Sequence, residues 1–295
     1  MILTEAHTFT FGLIGYPLGH SYSPVLQQAA LDSVHLPGNY YLYEIEPSSF
    51  DAKIQILLNE IRSGSRQGLN VTIPYKEKII PYMDCLTPAA QDIGAVNTIY
   101  IENEFLVGHN TDAPGLLTDL GQKGLLDPPG VALIIGAGGA ARGAAYALLT
   151  SGWQVTLAAR RLQPAQQIQA DLSRMSSSTS IQIETLASEA LQPRLPDFHL
   201  VINATPVGMA PQTEASPWPH HLPFPPHAAL YDMIYNPAVT RLMVNAKASG
   251  CQRVYNGLGM LIQQAALAFE CWTGQKPLIP TMQDQILSYL DTAKS

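Results

Sequence analysis

Charged residues are scarce in this chain, at 13% of its 295 residues, which is about half the usual share. Positive charge is the scarcer sign, since 16 Lys and Arg stand against 23 Asp and Glu and leave a formal net charge of −7 at pH 7. A nucleic-acid-binding protein normally carries a basic patch, so we expect no nucleic-acid partner. Small anionic ligands are not excluded, because their binding depends on local charge.

Cysteine is nearly absent: Cys85, Cys251 and Cys271 lie far apart, and no CxxC pair occurs. This argues against a disulfide framework and a thiolate zinc site, and it favours a cytoplasmic location. The first ten residues lack a basic stretch followed by an apolar core, so we predict no signal peptide. The histidines in and beside the proline-rich segment 211–226 lack the spacing of metal ligands, and we predict no metal.

The chain also lacks an uninterrupted apolar run long enough to cross a membrane. Residues 130–149 come nearest, because Arg142 is the one charged residue among them. A transmembrane helix needs about 20 consecutive apolar residues without turn signals. This stretch is interrupted by four glycines: Gly136, Gly138, Gly139 and Gly143. We therefore interpret it as a strand, a turn and a buried helix, and we expect no membrane association.

Short β-rich runs alternate with helical spacing along the chain, which is typical of an α/β protein with mainly parallel sheets. The first half is predicted to contain strands at 8–14, 40–45 and 68–73, helices at 24–33 (capped by Ser23) and 50–62, and a hairpin across 95–108. The second half is predicted to contain strands at 131–135, 153–158, 181–184, 200–203 and 230–233, a turn and helix at 136–150, and helices at 165–175 and 238–249. Helices at 258–272 and 280–293 follow, and we expect them to pack back on the first half.

A glycine turn follows the strand at 131–135 and opens a helix, as in a Rossmann-like dinucleotide-binding unit. The turn is Gly136-Ala137-Gly138-Gly139-Ala140, and its backbone amides can approach a pyrophosphate at the helix N-terminus. The alternative is a tight turn in an α/β domain without a ligand.

The strand after this turn discriminates between cofactors. An NAD site usually has an acidic residue about 20 residues after the glycines, whereas here the strand ends in Ala159, Arg160 and Arg161. Two guanidinium groups suit a 2′-phosphate, so we predict NADP in preference to NAD. The alternative is a pair of solvated loop arginines.

A lysine follows the third predicted strand at an unusual position. Pro74 suits the first position of a helix, and 75–83 has the pattern of a short helix, which places Lys76 in its first turn. A cation at that positive end of the helix dipole costs about 0.3–1 kcal/mol, so a chemical role is worth considering. The alternative is a surface lysine whose charge Glu77 offsets.

Polar clusters lie at four predicted strand ends or turns, where α/β proteins bind ligands. They comprise residues 19–24, 70–72 with Lys76, 95–98, and 108–112. Hydroxyl and amide groups with few charges suit a small polyhydroxylated molecule. Lys76 is then a candidate for holding a carboxylate or transferring a proton, and Asp112 for orienting that lysine. Taken singly, Asp112 also suits a helix cap, Asn97 a turn, and Gln264 a polar position on an apolar helix.

With these clusters the chain resembles the shikimate dehydrogenase family over nearly its full length. Eight motifs occur in the family's order, which makes the resemblance very specific. They are Gly15-Tyr-Pro-Leu-Gly-His-Ser21-Tyr-Ser23-Pro24, Gly68-Leu-Asn70-Val-Thr72-Ile-Pro-Tyr-Lys76, Ile93-Gly-Ala-Val-Asn97-Thr98, Gly108-His-Asn110-Thr-Asp112, the glycine turn, Asn203-Ala-Thr205-Pro-Val-Gly208-Met209, Tyr231-Asp-Met-Ile-Tyr235-Asn-Pro237, and Asn256-Gly257-Leu-Gly-Met-Leu-Ile-Gln-Gln264-Ala265.

The resemblance implies reversible NADPH-dependent reduction of 3-dehydroshikimate to shikimate, a step of chorismate and aromatic amino acid biosynthesis. It implies that Lys76 and Asp112 form the catalytic pair. The implied substrate ligands are Ser21, Ser23, Asn70, Thr72, Asn97, Tyr235 and Gln264. It also implies that Asn203 and Thr205 lie in a cofactor-facing loop, and that Met233 and Gly257 line the nicotinamide side.

The resemblance further implies two domains. One is a substrate-binding and catalytic domain of residues 1–112, completed by 258–295, and the other is a Rossmann-like NADP-binding domain of residues 113–257. We expect a small-molecule substrate as the partner and a monomer or homodimer as the assembly.

The chain departs from the family pattern at two places. The family often has Asn-Arg-Thr where this chain has Ala159-Arg160-Arg161, which keeps the arginine and loses the asparagine and threonine contacts. An NAD-dependent quinate/shikimate dehydrogenase therefore stays an alternative. Gln27 and Gln28 replace a frequent His-Asn, which we interpret as a packing change on a helix. A non-catalytic ligand sensor is the other alternative, and the intact Lys76 and Asp112 argue against it.

Overall fold

The computed structural model describes residues 8–19, 21–174 and 181–292. These residues form two compact units, one within residues 1–111 and 262–295 and the other within 112–261. The predicted domain boundaries after 112 and before 258 stay a prediction. The final residues of the predicted helices 165–175 and 280–293 lie outside the described residues.

The first unit contains a mixed sheet flanked by helices. Its N-terminal elements are β1 (Phe9–Gly15), α1 (Ser23–Ser33), β2 (Gly38–Glu44), α2 (Phe50–Arg62), β3 (Gly68–Val71), β4 (Cys85–Leu86), α3 (Pro88–Ile93), β5 (Thr98–Glu102) and β6 (Phe105–His109). The strand order is β2-β1-β3-β5-β6-β4. Strand β5 runs antiparallel to β3 and β6, whereas the other pairs are parallel. The predicted hairpin is confirmed, and Asn103 and Glu104 turn it with φ of 49° and 68°.

The second unit contains a fully parallel sheet. Its elements are α4 (Asp112–Gln122), β7 (Val131–Ile135), α5 (Gly139–Thr150), β8 (Gln154–Ala159), α6 (Leu162–Leu172), β9 (Ile181–Thr185), α7 (Ser188–Leu191), β10 (Phe198–Asn203), β11 (Ala229–Asp232), α8 (Arg241–Ala248), β12 (Val254–Asn256) and the start of α9 (Leu258–Thr273). The strand order is β12-β11-β10-β7-β8-β9, so β8 and β9 lie on one side of β7 and β10, β11 and β12 lie on the other. This is the doubly wound arrangement of dinucleotide-binding sheets.

The rest of α9 and helix α10 (Ile279–Thr292) belong to the first unit, so the C-terminal helices return to it as predicted. Trp272 at the end of α9 donates its indole N–H to the Ile99 carbonyl at 3.1 Å and stacks on Phe11 at 4.7 Å between ring centroids. Apolar contact and a hydrogen bond thus both hold the returning chain. Of the helices in the described ranges, none combines the length and the apolar character needed to cross a bilayer.

Helical periodicity accounts well for α2, whose predicted and observed bounds coincide. Its apolar residues Phe50, Ile54, Leu57, Leu58 and Ile61 are all buried, as spacing on one helix face requires. Apart from the helix predicted at 75–83, the other predicted elements also occur, with ends displaced by about three residues at most. Sequence periodicity missed the short elements β4, α3 and α7 and the helix α4.

Two local predictions were wrong. Residues 75–83 do not form an α-helix; the segment consists of turns and one 3₁₀ turn at Ile80–Tyr82. The Lys76 carbonyl accepts a hydrogen bond from the Val96 amide at 2.8 Å, a tertiary partner that replaces the helical one. Lys76 therefore does not face a helix dipole. Ser23 is not an N-cap either, because α1 begins at Ser23 itself and Tyr22 occupies the N-cap position.

Candidate functional site

One edge of the first unit's sheet collects most of the predicted substrate residues. Thr72 follows β3, and Asn97 precedes β5, which pairs with β3 in the antiparallel sense through Asn70 and Thr98. Because β6 is antiparallel to β5, its end at His109 reaches the same edge. Strand direction therefore brings residues from three distant sequence motifs to one side of the sheet.

A buried hydrogen-bond chain links Tyr40, Asn70 and Asn97. The Tyr40 hydroxyl donates to Asn70 Oδ1 at 2.8 Å. Asn70 Nδ2 donates to the Asn97 carbonyl at 3.1 Å and to Thr98 Oγ1 at 3.2 Å. Burial raises the pKa of Tyr40, so the phenol stays a neutral donor. Both ends of the Asn70 amide thus have protein partners, and its predicted contact with substrate stays a prediction.

Asn97 holds the segment that leads to Asp112. Its Oδ1 accepts the Thr111 amide at 2.8 Å and the Thr98 hydroxyl at 2.9 Å, and its Nδ2 donates to Thr111 Oγ1 at 3.0 Å. Asn97 and Thr111 are 3% and 0% exposed. Because buried amides need such partners, this network immobilises the residue that directly precedes Asp112. The role of Asn97 in holding a turn is therefore compatible with its predicted role as a substrate ligand.

Lys76 lies on a segment that is held through the preceding residue, Tyr75. The Tyr75 amide donates to the Thr72 carbonyl at 2.9 Å, and the buried Tyr75 ring stacks on Phe50 at 4.2 Å between centroids. The Lys76 side chain is partly exposed. A lysine anchored through its backbone but open to solvent is suited to meeting a small ligand. Ser21 and Thr72 are also partly exposed, and the Ser23 amide donates to Ser21 Oγ at 3.3 Å.

The remaining predicted ligands are divided between the units. Asp112 begins α4, and Tyr235 follows β11, both in the second unit, whereas Gln264 on α9 belongs to the first. All three side chains are partly exposed. Their predicted roles stay predictions.

His109 has a structural role. Its Nδ1 lies 2.8 Å from Thr87 Oγ1, and burial lowers its pKa, which favours the neutral ring. His20 lies outside the described residues. The described residues also contain no group of three or more His, Cys, Asp or Glu that could hold a metal ion.

The glycine turn in the second unit has the shape that a dinucleotide requires. Gly136 has φ of +119°, and its amide donates to the Ala158 carbonyl at 2.9 Å, so a side chain there would strain the turn. Gly138 and Gly139 have no atom within 4 Å of where a Cβ would stand. Ala137 and Ala140 flank them, and α5 begins at Gly139. Open space over backbone amides at a helix N-terminus fits a pyrophosphate.

Arg160 and Arg161 follow β8, the strand next to β7, and both are exposed. In contrast, Arg142 is engaged with Asp171 at 2.8 Å, and this guanidinium lowers the pKa of the Asp171 carboxyl. Arg160 and Arg161 are thus exposed at the end of the strand that pairs with β7, and their predicted contact with a 2′-phosphate stays a prediction.

A buried carboxylate that sequence reasoning did not single out joins the segments that follow β10 and β11. Asp232 is fully buried; its Oδ1 accepts Asn203 Nδ2 at 2.9 Å and the Ile234 amide at 3.1 Å, and its Oδ2 accepts the Thr240 hydroxyl at 2.6 Å. Burial raises its pKa more than these bonds lower it. In the sequence, Asp232 can be recognised as an acidic residue at the end of an apolar strand.

The loop after β10 is held by the other end of the Asn203 side chain. Asn203 Oδ1 accepts both the amide and the hydroxyl of Thr205, at 3.0 and 2.8 Å. Beside it, the Met233 amide donates to the Asn203 carbonyl at 3.0 Å. A Cβ on Gly257 would stand 2.2 Å from the Met233 carbonyl oxygen, so only glycine allows this approach. These contacts therefore connect four of the predicted cofactor residues, namely Asn203, Thr205, Met233 and Gly257.

A doubly wound parallel sheet with this turn defines a dinucleotide-binding protein, here joined to a second α/β unit. Comparison with known proteins narrows the class. Residues 13–99 match the model of the shikimate dehydrogenase substrate binding domain, and residues 257–287 match that of the shikimate 5'-dehydrogenase C-terminal domain. The shikimate dehydrogenase (NADP(+)) of Symbiobacterium thermophilum is 36% identical over 281 residues, which cover 95% of this chain and 94% of the relative.

Comparison with solved structures supports the same family. Shikimate 5-dehydrogenase from Thermus thermophilus, in complex with NADP(H) and shikimate, superposes with a TM-score of 0.80 at 36% identity over 94% of this chain and 98% of that one. Quinate dehydrogenase from Corynebacterium glutamicum, in complex with NAD, has a TM-score of 0.85 at 27% identity over 95% of this chain and 99% of that one. The chain belongs to the shikimate dehydrogenase family.

Proposed function

We infer that the chain catalyses the reversible NADPH-dependent reduction of 3-dehydroshikimate to shikimate, in the biosynthesis of chorismate and the aromatic amino acids. The observation that carries this function is membership of the family across nearly the whole chain, at 36% identity to an NADP-dependent member. The fold supports it, because one unit has the sheet order and open glycine turn of a dinucleotide site. A cytoplasmic location and a monomeric or homodimeric state stay predictions.

The reaction needs a hydride donor and a proton donor. NADPH, when bound, supplies the hydride from nicotinamide C4 to the C3 carbonyl carbon of 3-dehydroshikimate. The glycine turn Gly136–Ala140 would hold the pyrophosphate, and Arg160 and Arg161 the 2′-phosphate. Asn203, Thr205, Met233 and Gly257 would shape the nicotinamide side. The chemistry of these groups fits NADP, because backbone amides and guanidinium groups are its natural partners.

We assign the role of proton donor to Lys76. Its ammonium would stabilise the developing alkoxide oxygen and transfer a proton to it, and Asp112 would accept a hydrogen bond from a substrate hydroxyl as the second member of the catalytic pair. Proton transfer by a placed side chain accelerates reactions by about 10²–10⁴-fold. The backbone contacts that hold residues 75–76 and the network that holds Thr111 support this assignment, because catalysis requires side chains in fixed positions.

The substrate is a polyol with one carboxylate, and the hydroxyl and amide side chains suit it. Thr72 and Asn97 lie at neighbouring ends of β3 and β5. Ser21, Ser23 and Tyr235 would add hydroxyls, and Gln264 would add an amide. Asn70 would act through its bonds to Tyr40 and Asn97. Sites built to hydrogen-bond a hydroxyl discriminate strongly against analogues that lack it.

An absorbance assay tests the function. The purified chain should oxidise NADPH in the presence of 3-dehydroshikimate and reduce NADP⁺ in the presence of shikimate. Absence of turnover, with shikimate still bound in calorimetry, would favour a non-catalytic ligand sensor instead.

A second candidate activity is that of an NAD-dependent quinate/shikimate dehydrogenase. It is favoured by the loss of the family's asparagine and threonine around Arg160 and by the similarity to an NAD-bound quinate dehydrogenase. Four oxidation assays separate the two: quinate and shikimate, each with NAD⁺ and NADP⁺. The first candidate requires shikimate with NADP⁺ to have the highest kcat/KM.

A further inference from the structure

A buried carboxylate outside the substrate and cofactor residues joins three elements of the second unit. Asp119 on α4 is 1% exposed. Its Oδ2 accepts the hydroxyl of Tyr231, on β11, at 2.6 Å, and its Oδ1 lies 2.5 Å from the ammonium nitrogen of Lys123. Lys123 in turn lies 5.6 Å from the centroid of the Tyr255 ring, on β12. Tyr231 itself is fully buried.

The first turn of α9 closes on the same carboxylate. A Cβ on Gly259 would stand 1.9 Å from Asp119 Oδ1, and its three nearest atoms would all belong to the Asp119 carboxyl group. The Tyr231 hydroxyl donates to this same carboxylate, so that α4, β11 and α9 meet at the Asp119 side chain.

Each of the elements α4, β11 and α9 contains or adjoins a residue for which we propose a role in catalysis or cofactor binding. Asp112 begins α4, seven residues before Asp119, and two helical turns of 3.6 residues place both on the same face about 10 Å apart. Met233 directly follows β11, and Gly257 directly precedes α9. Rotation of α4 about its axis would move Asp112, and the Asp119 contacts oppose that rotation.

Stability alone does not require this arrangement. A buried ion pair is often no more stable than apolar residues of the same volume, because desolvation offsets the attraction between the charges. The glycine at 259 is specific to the arrangement, since it admits the carboxylate where any side chain would displace it.

We propose that Asp119 is a positioning residue that, with Tyr231 and the glycine at 259, sets the orientation of Asp112. The proposal rests on the proposed function of Asp112. Asp119 does not touch the substrate in this proposal; it acts through the helix that it shares with Asp112.

Tyr231→Phe and Asp119→Asn are the primary test, because each removes a bond and keeps the side-chain shape. We expect kcat for shikimate oxidation to fall about 10- to 100-fold with little change in the Kd of NADP⁺, since misplacement of a reacting group by about 1 Å costs up to about 10²-fold. Asp84→Asn is the matched control: it removes a carboxylate bonded to Arg62 and to the Leu106 amide in the first unit, and it should keep the kcat of the original chain.

Two double variants separate positioning from general damage. Asp112→Asn with Asp119→Asn should be no slower than Asp112→Asn alone, because Asp119 acts through Asp112. Gly259→Ala should lower kcat in the original chain but have no further effect in the Asp119→Ala background, where the added methyl no longer meets a carboxylate. Effects that multiply in either pair would overturn the proposal.

Hydrogen exchange provides a readout that does not depend on turnover. Tyr231→Phe should speed amide exchange at 113–118 and 258–261 more than in β7 and β8. Unchanged exchange in both helix segments would refute the proposal that Asp119 and Tyr231 hold these helices, even if the enzyme is active. If the original chain shows no turnover, the proposed function fails, and the exchange experiment still decides whether Asp119 and Tyr231 hold these helices.

Discussion

At the scale of single residues, Lys76 shows how a tertiary contact replaces a local one. Its neighbours Pro74 and Tyr75 predict a helix start, but its carbonyl bonds to Val96 and its segment is a series of turns. The argument from an unfavourable helix dipole therefore does not apply to this lysine. What singles it out is its place beside Thr72, on a segment fixed by a buried aromatic ring.

Lys76→Ala should lower kcat by about 10²–10⁴-fold, because it removes the proton donor proposed for the alkoxide, while KM changes far less. Steady-state kinetics with 3-dehydroshikimate and NADPH measure both constants. Lys78→Ala is the control, since Lys78 is exposed and pairs with Asp51 at 3.2 Å. A Lys76→Ala enzyme with the original kcat would remove Lys76 from the mechanism.

Asp84 is a residue for which pH and stability are linked. Arg62 and the Leu106 amide lower its pKa from 3.8 to about 2. A carboxyl whose pKa is lower in the folded chain than in the unfolded one stabilises the fold above the unfolded pKa and loses this effect as pH falls through the folded one. Asp84 should therefore contribute stability above about pH 4 that is lost towards pH 2.

Urea unfolding of the original chain and of Asp84→Asn, at pH 7, 4 and about 2.5, checks this expectation. The variant should be the less stable protein at pH 7, and the difference should shrink on acidification. A difference in midpoint that is the same at all three pH values would contradict the assignment.

At the scale of elements, regular periodicity was sufficient for α2, for the hairpin β5–β6 and for the strand–turn–helix of β7 and α5. It was insufficient for α4, in which Pro114 and two glycines weaken the helical signal of 112–122. That helix is stabilised by contacts from distant residues, including the bond from Tyr231 to Asp119 across 112 positions of sequence. Long-range partners of this kind leave no local pattern.

Gly68 tests how closely α9 packs against β3. A Cβ at position 68 would stand 2.0 Å from Trp272 Nε1, so Gly68→Ala should force the indole from its place on Phe11. Overpacking of this kind costs about 1–3 kcal/mol of unfolding free energy. Chemical unfolding followed by circular dichroism measures the loss.

Gly143→Ala is the counterpart on another helix, where a Cβ would meet no atom within 4 Å. It should raise stability by up to about 1 kcal/mol, because alanine is the better helix former. Equal effects of the two substitutions would show that contact with Trp272 does not limit position 68.

At the scale of the whole molecule, the chain builds two units, leaving the first at Thr111 and returning to it at Ile262. The acidic net charge of −7 does not exclude a phosphorylated cofactor, because local charge decides such binding, and we propose that Arg160 and Arg161 supply it. Cofactor preference should then be visible as a difference in the stability of the protein.

NADPH at about 100 times its Kd should stabilise the folded chain by about 2.7 kcal/mol, and NADH at the same concentration by clearly less. Thermal unfolding with each cofactor measures the two shifts in Tm. Arg160→Ala should abolish the difference, whereas Arg174→Ala should keep it, because Arg174 is 79% exposed and its ion pair with the Asp171 carboxylate is a long one, at 3.9 Å. Equal shifts in the original chain would favour the NAD-dependent alternative.

The sequence by itself determined the α/β class, most strands and helices, the glycine turn and the family, because these depend on local patterns of apolar residues, glycines and ordered motifs. Only the tertiary structure decided that Lys76 lies in turns, that Asn70 is bonded on both sides, and that Asp119 and Asp232 are buried and fully engaged. The reason is physical: a hydrogen bond or a steric fit between residues far apart in sequence depends on where the backbone brings them, and no local pattern encodes that distance.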